Sequence, residues 1–276
     1  SERYLAWAET VVEVGVLFWL IITYVTVRMT VPTGSMIPAI LPGDSFFVDI
    51  LSYHFRSPAS GSIVVFWFLE ELRVTGVRAG SPAAAAGLQP GDHIVAPGRW
   101  DLGVGGEPVP SLRTLSRRIQ AAQGSSLEFT VLREITAQEA QIVTCYVQVP
   151  QGAKDLGDLG IDYRARRARY VKRLIALGGQ TVQIAPGGKI LINGEPLAIL
   201  ADKVYARTGP GIRYGVDPTY VPPGHFFVLG DNTLNSYDSR YWGFVPKEDF
   251  IGCPFFRVWP FSRFGPMNGY FWSSLF

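Results

Sequence analysis

Gly61-Ser62-Ile63-Val64-Val65-Phe66-Trp67-Phe68 decides the fold. β-Branched and aromatic residues pack well on a pleated surface, so the run reads as a buried strand. The same texture recurs on both sides. Upstream, the turn signal Leu41-Pro42-Gly43-Asp44 leads into Ser45-Phe46-Phe47-Val48-Asp49-Ile50. Downstream come Val171–Ala176, Thr181–Ile184, Lys189–Ile192 closed by Asn193-Gly194, and His225–Leu229. Asn-Gly supplies the two positive-φ residues that a tight hairpin turn requires. No long helical periodicity runs through these stretches, so this part of the chain is expected to be mainly β.

With 276 residues, 47% hydrophobic and 17% charged, the chain is long enough for more than one domain. A net charge of +2 gives no basis for nucleic-acid binding. The one basic cluster, Arg164-Ala165-Arg166-Arg167-Ala168-Arg169, reads as a solvated loop or a surface facing anionic lipid. Cys145 and Cys253 lie far apart without metal-ligand spacing. Both are read as buried small hydrophobes, and neither a metal nor another cofactor is expected.

Val14 to Val27 carries no charge. Its length is about 21 Å as a helix, short of the roughly 30 Å hydrocarbon core, so a spanning helix has to begin nearer Leu5. Glu9 and Glu13 then fall at its polar end, in the headgroup region. A cleavable signal peptide is the rival, but Arg3 is the sole basic residue before the apolar run and no small-x-small site follows. The segment reads as an anchor in contact with the lipid bilayer. Arg3 and Arg28 flank it almost evenly, which leaves its orientation open.

Between Phe68 and Tyr163 the texture changes. Val74-Thr75-Gly76-Val77-Arg78-Ala79-Gly80-Ser81-Pro82-Ala83 runs into Ala86-Gly87-Leu88-Gln89-Pro90-Gly91-Asp92-His93-Ile94-Val95. A short helix at Ser81–Ala86, a helix over Ser111–Ala122 and a strand over Ser126–Arg133 are predicted. This pattern resembles the PDZ domains attached to bacterial proteases. Such domains bind extended peptides by strand addition, with loop amides holding the terminal carboxylate. Leu159, Gly160 and Ile161 are the candidate groove for a peptide or protein ligand; the alternative is a plain linker.

Three further segments share one chemistry. Pro32-Thr33-Gly34-Ser35-Met36 offers a hydroxyl, Tyr170-Val171-Lys172-Arg173 an amine in an apolar strand, and Gly230-Asp231-Asn232 through Arg240 a polar cluster. A serine activated by a lysine is a recognised nucleophile–base pair. In a strand, Tyr170 and Leu174 flank Lys172 on one face, and desolvation there disfavours the ammonium.

Together these segments closely resemble the motifs of bacterial type I signal peptidases, over residues 1–70 and 163–276. The resemblance implies a β-rich catalytic domain and a membrane-anchored serine endopeptidase that removes signal peptides from preproteins after small-x-small (Ala-x-Ala-like) sites. It also implies a single pass through the bacterial inner membrane, with the catalytic domain on the periplasmic side. By match of motif, Ser35 is the nucleophile, Lys172 the general base, Thr33 an oxyanion donor and Ser236 the partner of the lysine. Asp238 and Arg240 support the site as an ion pair, with Asp231 and Asn232 beside them. Val31, Met36, Ile40 and Val171 fall where the family lines alanine-sized pockets. Thr233-Leu234 and Ser62 depart from the family pattern without touching the Ser–Lys pair.

The expected organisation is an anchor (1–28), a catalytic domain in two parts (29–70 and 163–276) and an α+β PDZ-like insert (71–162). A self-cleaving Ser–Lys repressor protease would need a DNA-binding domain in place of the anchor. An endoplasmic signal peptidase subunit would be expected to carry histidine at position 172. The alternative from another class is a catalytically inactive membrane adaptor that binds peptides through the insert; intact Ser35, Lys172, Thr33 and Ser236 argue against it.

Overall fold

Strands carry most of the regular structure in this computed structural model, which describes residues 7, 9–16, 26–95, 103–104, 107–108, 111–136 and 139–267. β1 (Thr26–Thr30), β2 (Ser45–Asp49) and the long β3 (Ile63–Val77) come first. Then follow helix α1 (Pro82–Ala85), β4 (His93–Ile94), β5 (Gly103–Val104), β6 (Glu107–Pro108), α2 (Leu112–Ala121), β7 (Ser126–Thr136) and β8 (Glu139–Gln148). The long β9 (Ile161–Leu177) returns alongside β3. After it come β10 (Thr181–Ile184), β11 (Ile190–Ile192), β12 (Glu195–Pro196), β13 (Thr219–Tyr220) and β14 (His225–Leu229). Helix α3 (Ser239–Trp242), β15 (Val245–Pro246), β16 (Phe250–Trp259) and β17 (Gly265–Pro266) come last, and four short 3-10 turns lie between the elements named.

β3 and β9 pair antiparallel from Ile63↔Arg173 out to Val77↔Ile161. At the inner end β9 also pairs with β14, and β3 with β16, which leads through β2 to β1. At the outer end β3 carries β4, which leads to β7 and β8. β10 to β13 form a separate four-stranded sheet. Asn193 and Gly194, at φ 52° and 88°, make the predicted tight turn between β11 and β12.

Burial divides along the same ladder. At the inner end Met29, Val31, Met36, Phe46, Val48, Val65 and Val171 form one apolar cluster, and Phe66, Phe68 and Trp242 belong to another. The outer end has a core of its own, including Leu72, Val74, Leu115, Ile119, Phe129, Val131, Leu159 and Ile161. Helix α2 closes that core with Leu115 and Ile119, four apart and therefore on one face. Ser111 caps the helix, its Oγ accepting from the Thr114 amide at 3.2 Å. Cys145 and Cys253 are free and buried, as the sequence predicts.

Three expectations are corrected. The anchor boundary at residue 28 falls too late, because Thr26 to Arg28 already pair with Asp49 to Phe47 in β1 and β2. The arginine run is a strand rather than a loop: Arg164, Arg166, Arg167 and Arg169 are exposed on β9, and Arg166 bonds Glu71 across the ladder at 3.0 Å. The insert boundaries at 71 and 162 lie inside the ladder, where Glu71 faces Arg166 and Asp162 faces Gly76. Among the described residues no helix is long and apolar enough to cross a membrane. Most of the apolar segment, including 17–25, and the aromatic tail 270–276 lie outside the described residues.

The outer module has a second attachment. Arg113 of α2 donates to the Glu248 carbonyl at 3.0 Å, and Arg117 pairs with the Glu248 carboxylate. An exposed ion pair of this kind is worth no more than about 1 kcal/mol, so the inner clusters should survive its loss. Replacing residues 71–166 by a short Gly-Ser turn, with Leu69→Ser to remove the apolar residue left uncovered, should give a protein with one cooperative thermal transition. Calorimetry checks this; a chain without a cooperative transition shows that the two cores are one folding unit.

Candidate active site

Ser35 sits on a turn that begins where β1 ends. Val31 donates to the Asp44 carbonyl at 3.0 Å and accepts from Gly43 at 2.7 Å, which closes the loop at its base. Met36 and Ile40 are fully buried beneath it. The turn is thus pinned from below while Ser35 faces the cleft.

Lys172 lies in β9 and is 4% exposed. Its Nζ donates to Ser35 Oγ at 2.8 Å and to the Val171 carbonyl at 3.2 Å, and lies 5.4 Å from the centre of the Tyr170 ring. Burial pushes its pKa down to about 8, against a smaller upward pull from the Asp238 carboxylate. Desolvation therefore does what the flanking residues in the sequence imply: it makes the neutral amine accessible near neutral pH.

The third segment holds the Ser35 turn. The Asn232 amide donates to the Ser35 carbonyl at 3.0 Å, and Asn232 Nδ2 to the Gly34 carbonyl at 3.1 Å. Asp238 and Arg240 are buried and paired through both carboxylate oxygens, at 2.8 and 2.9 Å. Arg240 also donates to the Thr233 carbonyl at 3.0 Å, and Asp238 accepts from the Gly230 amide at 3.0 Å. Ser236, expected to hold the lysine amine, is brought beside the site, but its buried Oγ has no hydrogen-bond partner among the described residues.

Two residues of these motifs gain roles that their sequence alone does not reveal. Arg173 pairs with Asp231 at 2.6 and 2.5 Å and donates to the Gly61 carbonyl at 2.5 Å, tying the third segment to β9. A β-carbon at Gly230 would lie 2.1 Å from Ser236 Oγ and 2.6 Å from the Ser35 carbonyl oxygen. Only glycine lets the segments approach so closely.

A cavity of about 340 Å³ runs from Ser35 and Lys172 between β1 and β9. Val31 and Val171 line it, with Met29, Tyr170 and the exposed Thr33. Met36 and Ile40 share one apolar cluster with Val31 and Val171, buried beneath the cleft. Between Ala168 and Lys172, the edge of β9 away from β3 carries no strand among the described residues, nor does the edge of β1 away from β2. Two open strand edges thus face one cleft.

Leu159, Gly160 and Ile161 lie at the outer module, apart from this cleft. All three are buried. Their amides already donate to Leu156 and Gly157 carbonyls at 3.0–3.1 Å, and the Gly160 and Leu159 carbonyls accept from Arg78 and Ala83. A peptide carboxylate finds no free amide on these three residues, so they do not form the expected groove.

A hydroxyl held against a desolvated amine is the geometry of a nucleophile with its base. The family described as signal peptidase, peptidase S26, matches residues 4–259. The chain is 45% identical over 99 residues to the signal peptidase I of Leptolyngbya laminosa, a match covering 36% of this chain and 45% of that one. It is 30% identical over 275 residues to the signal peptidase I of Mycobacterium tuberculosis, covering 91% of this chain and 70% of that one. The chain therefore spans less than half the length of the first relative. It belongs to the signal peptidase S26 family.

Burying Lys172 has a cost that can be measured. Its folded pKa of about 8 lies below the ordinary 10.5, so the folded state binds fewer protons between those values and stability rises with pH across that window. Below about pH 8 the full penalty, on the order of 3 kcal/mol, is present. Lys172→Met should therefore be more stable than the parent at pH 7, with the pH-dependent gain vanishing by pH 10.5. Urea unfolding at the two pH values checks this. Gly230→Ala should destabilise the fold by about 1–3 kcal/mol, because its β-carbon would push against Ser236 and the Ser35 carbonyl. Urea unfolding at pH 7 provides the check.

Proposed function

We propose that this chain is a membrane-anchored serine endopeptidase that removes signal peptides from preproteins, using Ser35 as nucleophile and Lys172 as general base. The observation that carries this reading is the 2.8 Å contact between Lys172 Nζ and Ser35 Oγ at a buried amine. The neutral amine takes the Ser35 proton as Oγ attacks the scissile carbonyl, then passes it to the leaving amine. An acyl-enzyme remains, and water activated by the same lysine releases it. The Thr33 hydroxyl and the Ser35 amide face the developing oxyanion, where preorganised donors act most strongly.

The cleft favours an extended peptide. Two open strand edges offer backbone hydrogen bonds, and Val31 and Val171 leave room for small side chains, in keeping with Ala-x-Ala sites. The apolar stretch ahead of β1 ends at Val25, ten residues from Ser35, so even an extended link reaches only about 35 Å. That keeps the site near a bilayer surface, where a signal peptide ends; on this reading the surface is the outer face of the inner membrane. The outer module is read as a PDZ-like insert, and its independent core supports that reading.

Ser35→Ala and Lys172→Ala should each abolish cleavage of an Ala-x-Ala peptide, and the double variant should be no worse than either. Lys172→Arg should also be inactive, because a guanidinium stays protonated. The parental rate should rise through an apparent pKa near 8. A rate still climbing steeply at pH 10, or an active Lys172→Arg, removes lysine from the role of base. Thr33→Val should cut kcat roughly 10²–10³-fold with little change in KM, while Thr33→Ser keeps most activity.

A further inference from the structure

A second, larger cavity of about 480 Å³ backs onto the catalytic segments. Each of the three turns a neighbouring residue into its wall: Pro38 and Ala39 follow Ser35, Arg173 follows Lys172, and Asp231 follows Gly230. Lys203, Arg257 and Arg263 add to the polar lining.

Its charges do not balance. Arg173 is matched by Asp231. Arg257 and Arg263 share a single carboxylate, Asp44, at 3.3 and 2.8 Å, and both donate to the Ala39 carbonyl. Lys203 Nζ donates to the Asp231 backbone carbonyl at 3.2 Å and pairs with no carboxylate among the described residues. Four cations thus face Asp231, Asp44 and the exposed Asp202, an excess of one. Burial lowers the pKa of Arg257, opposed by Asp44 and to a lesser degree reinforced by Arg263.

Position suggests the occupant. From Ser35 the catalytic cleft runs along β9 toward Ala168, whereas the second cavity meets β9 at Arg173, on the other side of Lys172. An extended substrate whose residues before the cut fill the cleft continues past Ser35 toward this cavity. We propose that the cavity receives the first residues after the scissile bond and favours an acidic side chain there, with Lys203 as the cation that meets it. This rests on the peptidase reading.

The test uses the full chain and peptides identical through the Ala-x-Ala site, carrying Glu, Gln or Lys at the second to fourth positions after it. A partly exposed charge pair predicts that kcat/KM for the Glu peptide exceeds that for Gln about three- to fivefold at low salt. The ratio is independent of the fraction of active enzyme. Lys203→Glu should invert it and favour the Lys peptide. Equal rates on the Glu and Gln peptides in the parent, or a Glu preference that persists in Lys203→Glu, overturns the inference. Cleavage of none of the peptides refutes the peptidase reading instead.

Discussion

The antiparallel ladder between β3 and β9 is the constraint on which the rest depends. Its inner end places Lys172 against the Ser35 turn, and its outer end carries a module with a separate core. A register slip of one residue would exchange the two faces of β9, sending Lys172 to the side now held by Arg173. Cross-strand pairs from Ile63↔Arg173 to Val65↔Val171, each flanked by buried apolar residues, oppose such a slip.

An amine kept out of water needs a rigid surround, because any loosening that admits water restores its charge. The protein supplies that surround with polar groups satisfied by one another. Asp238 and Arg240 saturate each other beneath the third segment, Asp231 and Arg173 lock it to β9, and Asn232 grips the peptide groups on either side of Ser35. Buried ion pairs contribute little net stability but fix geometry when their remaining donors are engaged, as Arg240 is by the Thr233 carbonyl.

Much of this was legible in the sequence because it depends on local chemistry. Thr181–Ile184 and His225–Leu229 alternate or cluster apolar residues so strongly that the strands match at both ends, and Asn193-Gly194 fixes its turn. Helix α2 announces itself through its Ser111 cap. Ser35 and Lys172 stand out by residue type. Long-range facts were less visible. The β9 arginines look like a loop until Glu70 and Glu71 are seen across the ladder, and Thr26–Arg28 look like the end of a helix until β2 appears beside them. Leu159–Ile161 resemble a carboxylate loop by spelling, yet their amides are consumed locally. Gly230 and Arg173 matter through neighbours distant in the chain, which no single segment discloses.

The outer module is mounted at two places of different physical character. The ladder is made of backbone hydrogen bonds between paired strands, whereas the Arg117–Glu248 pair is half exposed on its arginine side. Ions in the medium screen the second attachment and barely touch the first. Added salt should therefore loosen the second attachment while the ladder keeps the module in place.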